Sequence, residues 1–169
     1  MDGFIRHLLS ALEPKITIID IRPLPISIPN LNFVQADATN LDGIADNSIQ
    51  SLSSLHAVEH FGLGRYGDPI DPNACFQAMK SLQRVIRKNG ILYFSVPVGR
   101  ENAVYFNAHR MFTPQKVLEV FGDMELLEFS YIHNYEVKTL VGERAKKMIR
   151  SNTVAVENYD CGIFIFCKK

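Results

Sequence analysis

Short uncharged runs rich in β-branched and aromatic residues alternate along this chain with segments of helical pattern. That alternation limits its fold more than any other feature. "KITIID" follows the breaker Pro14 and ends in Asp20, and "LNFVQAD" ends in Asp37. A polar-leaning run at 49–55 leads into His56, and "ILYFSVPV" is stopped by Pro97. Short apolar runs between breakers suit buried strands of a parallel sheet. Between them "RPLPISIPN" carries three prolines and reads as an extended loop.

The clearest helix is "DPNACFQAMKSLQRVIRKNG", with Asp71 as cap, Pro72 in the first turn and Asn89-Gly90 as its close. Arg84, Arg87 and Lys88 would then meet the negative end of its dipole. A second helix is expected at 113–121 and a third at 142–150, while Phe4, Ile5, Leu8, Leu9 and Leu12 share one helical face near the start. "MELLEFSYIH" and "CGIFIFCKK" read as closing strands that pair as an antiparallel hairpin on one edge. The pattern predicts one α/β domain over 1–169, a doubly wound, mostly parallel sheet. In such sheets ligands bind beyond the carboxyl ends of the strands. Asp20, Asp37 and His56 all stand at such ends, so spacing alone gathers them on one rim.

Charge and cysteines remove several classes. Lysine plus arginine and aspartate plus glutamate both total 18, so no basic excess meets nucleic-acid phosphates. The three cysteines, Cys75, Cys161 and Cys167, form no CxxC pair and read as core or near-core residues without chemistry in a reducing cytoplasm. No apolar stretch approaches the roughly 20 residues of a membrane span.

"HAVEHFGLGRYGDP", residues 56–69, concentrates chemistry-bearing side chains. His56, Glu59 and His60 formally match H-x-x-E-H, the signature of zinc peptidases. That motif needs a continuous helix, whereas this segment leaves a strand and soon meets three glycines, so no metal is expected. Two further readings remain: the histidines hold a glycine-rich loop through local hydrogen bonds, or they line a ligand pocket. Arg65, Tyr66 and Asp68 would then form a polar lid. "GRENAVYFNAHRMF" adds Arg100, Glu101, Tyr105, Asn107, His109 and Arg110 beyond the fourth strand. Polar groups interleaved with aromatics suit a polar acceptor such as a sugar, although Arg100 or Arg110 paired with Glu59 or Asp68 would only fix loops.

The order strand–Asp20, strand–"ADAT", strand–"LHAVEHF" and "LQRVIRKNGILYFSVPV" resembles class I S-adenosylmethionine-dependent methyltransferases. The longer "HAVEHFGLGRYGDPIDP" and "VPVGRENAVYFNAHRMF" look most like an uncharacterised branch of that superfamily. The resemblance implies a Rossmann-like sheet in which Asp20 holds the cofactor's ribose hydroxyls. It implies that Asp37 with Ala38 faces the adenine and that His56 lines the cofactor pocket. Glu59, His60 or His109 would serve as general base, and Arg65, Tyr66 and Arg110 would bind substrate.

The family's first strand and its glycine-rich loop are missing from these residues, and Gly3 is the last vestige of that loop. Removing a central strand opens a gap of roughly 10 Å, twice the strand spacing. Each buried backbone group left unpaired there costs about 1–3 kcal/mol. Direct pairing of the two flanking strands or a rearranged sheet is the first expectation. A truncated chain and a strand from another molecule, as in a homodimer, follow. The missing loop also predicts weak or no cofactor binding. The leading functional reading is methyl transfer to a small-molecule or saccharide hydroxyl. The alternative is a non-catalytic remnant acting as a binding module, and a metal hydrolase trails both.

Overall fold

A computed structural model describes residues 16–23, 28, 30–105, 108–157 and 159–169. The helix expected at 4–12, Gly3 and part of the proline loop lie outside them. The first two strands fall where the apolar runs predict, β1 at Ile16–Asp20 and β2 at Leu31–Gln35. They pair in parallel, Ile16 opposite Leu31 and Asp20 opposite Gln35. A second sheet holds β3 (Ile49–Leu55), β4 (Ile86–Val98), β7 (Met124–His133), β8 (Glu136–Val141) and β9 (Asp160–Lys168). Its order is β3-β4-β9-β7-β8. β3 and β4 run parallel and the remaining pairs antiparallel, so the sheet is mixed and carries the expected antiparallel C-terminal edge. β8 is the strand the sequence reading lacked. It forms the edge hairpin with β7, and β9 inserts between β7 and β4.

Direct pairing of the flanking strands does not occur. Among the described residues β1 and β2 hydrogen-bond only with each other, and β3 pairs only with β4. The small pair is held instead by side chains, with Ile19 of β1 and Ala38 beyond β2 packing on the main core.

The helices are α1 (Ala74–Val85), α2 (Pro114–Val120) and α3 (Gly142–Arg150). α1 is shorter at both ends than its sequence suggests. Asp71 caps not the helix but the turn before it, its Oδ1 accepting from Asn73 N–H at 2.8 Å. At the other end the carbonyls of Arg84 and Val85 accept from the N–H groups of Asn47 and Ser48. The ammonium of Lys168 donates to the carbonyls of Gln83 and Arg84 at 2.9 and 3.2 Å. With its last acceptors satisfied by neighbours, the helix stops and fully buried Ile86 starts β4 opposite Ile49. Arg87 and Lys88 therefore lie in a strand, not in a helical last turn. α2 keeps its expected grammar, with Thr113 Oγ1 accepting from Lys116 N–H at 3.1 Å.

Pro97 does not end β4, which continues to Val98. The ladder with β3 reaches only Leu55 opposite Ser95. The side of the strand on which Pro97 lacks a donor is therefore already free of β3, and its carbonyl there accepts from Phe112 N–H at 3.0 Å. The sheet buries Leu92, Phe94, Val96, Leu126, Phe129, Phe164 and Phe166 completely, and Met79, Val85 and Phe121 pack with them.

Candidate functional site

β1, β2 and β3 deliver their carboxyl ends to one cavity of about 310 Å³, walled by Asp20, Arg22, Asp37, Ala38, Thr39, His56, His60, Tyr66 and Asp68. The rim that spacing predicts thus exists. Asp20, Asp37, Ala38 and His56 meet there, and His60 and Tyr66 join them.

Asp20 is engaged by a residue the sequence reading passed over. Arg22 donates its backbone N–H and Nε to Oδ1 at 2.9 and 3.0 Å, and Nη2 to Oδ2 at 2.7 Å. The Arg22 guanidinium holds the Asp20 carboxyl below the usual carboxylate range, against a smaller opposing effect of burial. Arg22 also stands 5.2 Å from the centre of the Tyr66 ring, tying the end of β1 to the glycine loop. An arginine two positions past a strand-end aspartate was a readable signal. β2 ends two residues before Asp37, whose Oδ1 accepts from Thr39 N–H at 2.8 Å in a side-chain-closed turn.

The histidine segment departs from the zinc-peptidase pattern. Only Val58–His60 turns, as a single 3-10 turn, and His56 sits outside it with φ of +47°. Its Nδ1 lies 3.0 Å from Glu59 Oε1, and its Nε2 lies 3.2 Å from Cys161 Sγ. His60 Nδ1 takes the Ala108 carbonyl at 2.8 Å, and its Nε2 stands 3.9 Å from Glu59 Oε1. Among the described residues no three His, Cys, Asp or Glu side chains converge as a metal site.

Glu59 is 1% exposed, and its Oε2 has no hydrogen-bond partner among the described residues. His109 lies on the short hairpin β5 (Ala103–Tyr105) and β6 (His109–Met111), where the sequence suggested a loop. Its ring is edge-on to His60 at 6.4 Å and faces Tyr105 and Tyr159 at 5.2 and 5.0 Å. Burial, then the neighbouring His60, pushes the His109 imidazole below its ordinary value. Its Nε2 is buried without a partner.

The glycine loop is fastened by Asp68, whose Oδ2 accepts from Gly62 N–H at 2.7 Å and Oδ1 from Tyr66 N–H at 3.1 Å. Burial opposes the Asp68 charge, yet backbone N–H groups led by Tyr66 outweigh it and hold the carboxyl low. Gly62, with φ of +72°, is required sterically, because a Cβ there would lie 2.0 Å from the Asp71 carbonyl oxygen. Arg65 Nη1 donates to the Ala108 carbonyl at 2.8 Å, closing the lid onto the β5–β6 hairpin. Arg110 points elsewhere. It is 6% exposed, donates to the carbonyls of Phe61 and Asp71, and lines a second, apolar cavity of about 430 Å³ with Phe76 and Phe112. Arg100 pairs with Glu157 at 2.7 Å, away from Glu59 and Asp68.

The α/β arrangement is the Rossmann-like fold of solved methyltransferases. The chain superposes on the cyclase SpnF with a TM-score of 0.65 at 13% identity, covering 98% of this chain and 71% of that one. The 1,6-didemethyltoxoflavin-N1-methyltransferase of Burkholderia thailandensis, solved with S-adenosylhomocysteine, gives 0.64 at 14% identity over 99% and 67%. A SAM-dependent methyltransferase of Archaeoglobus fulgidus gives 0.61 at 15% over 98% and 81%. Among curated proteins none is matched by the sequence. The chain belongs to the family described as "Caenorhabditis protein of unknown function, DUF268", whose model matches residues 27–157. No helix of the described residues is long and apolar enough to cross a membrane.

Proposed function

We propose that the chain binds the nucleoside of S-adenosylmethionine in the β1–β3 cavity and methylates a hydroxyl of a small molecule or saccharide. The observation that carries this reading is the meeting of Asp20, Asp37, Ala38 and His56 on one cavity of about 310 Å³, near the lower end of ligand-site volumes. The donor set fits a nucleoside. Asp20, kept ionised by Arg22, retains acceptor capacity for ribose hydroxyls beyond its three bonds to that arginine. Asp37 stands exposed beside Ala38, placed for an exocyclic amine. When bound, the cofactor supplies an electrophilic methyl group.

The acceptor hydroxyl must lose its proton, and His109 is the base best prepared. Burial favours its neutral form, and Nε2 has no hydrogen-bond partner among the described residues. His60 and Glu59 stand beside it without a hydrogen bond to it, and Tyr105, Tyr159 and Tyr66 offer ring faces to a sugar. Arg65 and Tyr66 cover the cavity from the glycine loop, whereas Arg110 braces Phe61 beneath it. The rival reading, a binding module without catalysis, is favoured by Asp20 and Asp37 already having partners within the chain.

Calorimetric titration with S-adenosylhomocysteine tests the reading. Weak saturable binding is expected, about millimolar in affinity, and Asp37→Ala should weaken it at least about tenfold through the lost charged acceptor. Absence of saturation, or an unaffected Asp37→Ala variant, would refute the cofactor site. Micromolar affinity would instead refute the expectation drawn from the missing glycine loop.

A further inference from the structure

We propose that Cys161, His56 and Glu59 also form a reactive centre, which shares His56 and Glu59 with the site above: a thiol nucleophile with its base and a carboxylate orienting that base, which takes an acyl group from a small activated ester. The topology creates it. β9 runs antiparallel to β4, so its first residues reach the rim where β3 and β4 end, with Cys161 opposite Pro97. His56 arrives at the same place from β3, 105 residues earlier in sequence, and its Nε2 stands 3.2 Å from the Cys161 sulfur. Its other nitrogen is 3.0 Å from Glu59 Oε1. Nucleophile, base and orienting acid within hydrogen-bond reach make the arrangement shared by unrelated acyl-transfer enzymes.

His56 sits in the left-handed region at φ of +47°, held there by its N–H, which donates to the Ser95 carbonyl at 3.0 Å and contacts Ser95 Oγ at 3.2 Å. One independent observation marks the centre as more than a chance contact: the Glu59 side chain is 2% exposed, and its Oε2 has no partner among the described residues. A buried half-satisfied carboxylate is costly as structure, and it favours positive charge on the imidazole it touches.

The protonated imidazole is supported on both sides. The hydrogen bond that its Nε2–H donates to Cys161, then the one that Nδ1–H donates to Glu59, pushes His56 up to about 10, with burial opposing. The surrounding titratable groups are His60, 3.9 Å from Glu59, and His109 and Arg65, whose charges act on one another. Asp160 beside the cysteine is occupied by His133 at 2.9 Å. Access also distinguishes this thiol. Cys161 is partly exposed, whereas Cys75 is fully buried and its thiol is pushed up by that burial. Cys167 is partly exposed too, but its sulfur meets only the Lys168 carbonyl, at 3.7 Å.

In the step itself the sulfur electron pair forms an S–C bond to the ester carbonyl, and the thiol proton rests on His56 Nε2. Collapse breaks the ester C–O bond, His56 returns the proton to the departing oxygen, and a Cys161 thioester and an alcohol remain. Glu59 positions His56 and does not touch the acyl group. The centre does not depend on the cofactor reading, so either stands if the other fails.

The test treats the full chain with p-nitrophenyl acetate at neutral pH and follows acetylation of each cysteine by peptide mass spectrometry. Cys161 is expected to acetylate at least about tenfold faster than Cys167, as an imidazole-activated thiol should. His56→Ala, checked for a native circular dichroism spectrum, should remove most of that advantage. Glu59→Gln should move the rise of the Cys161 pH–rate profile to higher pH, a change that a purely structural role would not produce. Equal rates at Cys161 and Cys167 in the unaltered protein would overturn the proposal, whatever the variants do. A folded His56→Ala variant at the original rate would overturn it as well, and an unmoved Glu59→Gln profile would remove Glu59 from the centre.

Discussion

The five-stranded sheet and the β1–β2 pair are built from similar apolar runs but hold together differently. In the large sheet, Phe129 and Phe164 lie 4.6 Å apart between ring centres, Phe121 and Phe166 4.8 Å, and Phe94 and Phe121 5.0 Å, all fully buried. The pair meets that core through Ile19 and Ala38, each only partly buried, while Val34 remains 44% exposed. The five-stranded sheet therefore carries the stability. The pair supplies carboxylates to the cavity, because Asp20 and Asp37 stand at its ends and the seam beside β3 is where polar groups collect. Active sites gain from such placement, since polar groups there stay hydrated while a rigid layer fixes one wall.

Perturbing each side in turn tests that division. Phe164→Ala should be the most damaging change, costing about 3–5 kcal/mol in urea unfolding by opening a ring-sized cavity. A loss under about 1 kcal/mol would mean that the rings do not form the stabilising centre. At the seam, Gly62→Ala should cost about 1–3 kcal/mol, from left-handed backbone strain and collision with the Asp71 carbonyl. If melting is unchanged, the glycine loop is not fastened as described. On the pair, Arg22→Ala should alter stability by less than about 1 kcal/mol, as exposed ion pairs do. The same variant should raise the pH at which the Asp20 carboxyl titrates by NMR, because Arg22 is what holds it low. A larger loss of stability would place the pair's cohesion in that ion pair, and an Asp20 carboxyl that titrates as before would mean that Arg22 does not hold it low.

Much of the fold could be read from local patterns. β1, β3, α2, α3 and β9 fall close to their expected positions because breakers and caps act within a few residues. The misses come from elsewhere in the chain. α1 ends early because Asn47, Ser48 and Lys168 reach its carbonyls, and Pro97 stays within β4 because β3 has already ended. β8 is a short exposed strand, and the β5–β6 hairpin consists of two three-residue strands with weak apolar periodicity. The direct pairing expected between β1 and β3 does not form, since side-chain packing by Ile19 and Ala38 docks the small pair without a ladder.

The site divides in the same way. Asp20, Asp37 and His56 could be assigned to one rim because strand direction follows from the alternation of elements, and each residue closes its own strand or follows it. Arg110 and Cys161 could not be placed. Arg110 turns inward to carbonyls of a distant loop, and Cys161 reads as an ordinary strand residue until an antiparallel neighbour carries it beside His56.

Sequence alone therefore determined the layered architecture, the rim and the glycine loop, because turn chemistry and apolar period are properties of neighbouring residues. Only the tertiary structure decided which partners those rim groups hold. A contact between residues 56 and 161 depends on the order and direction of strands across the whole sheet, and no local pattern encodes it.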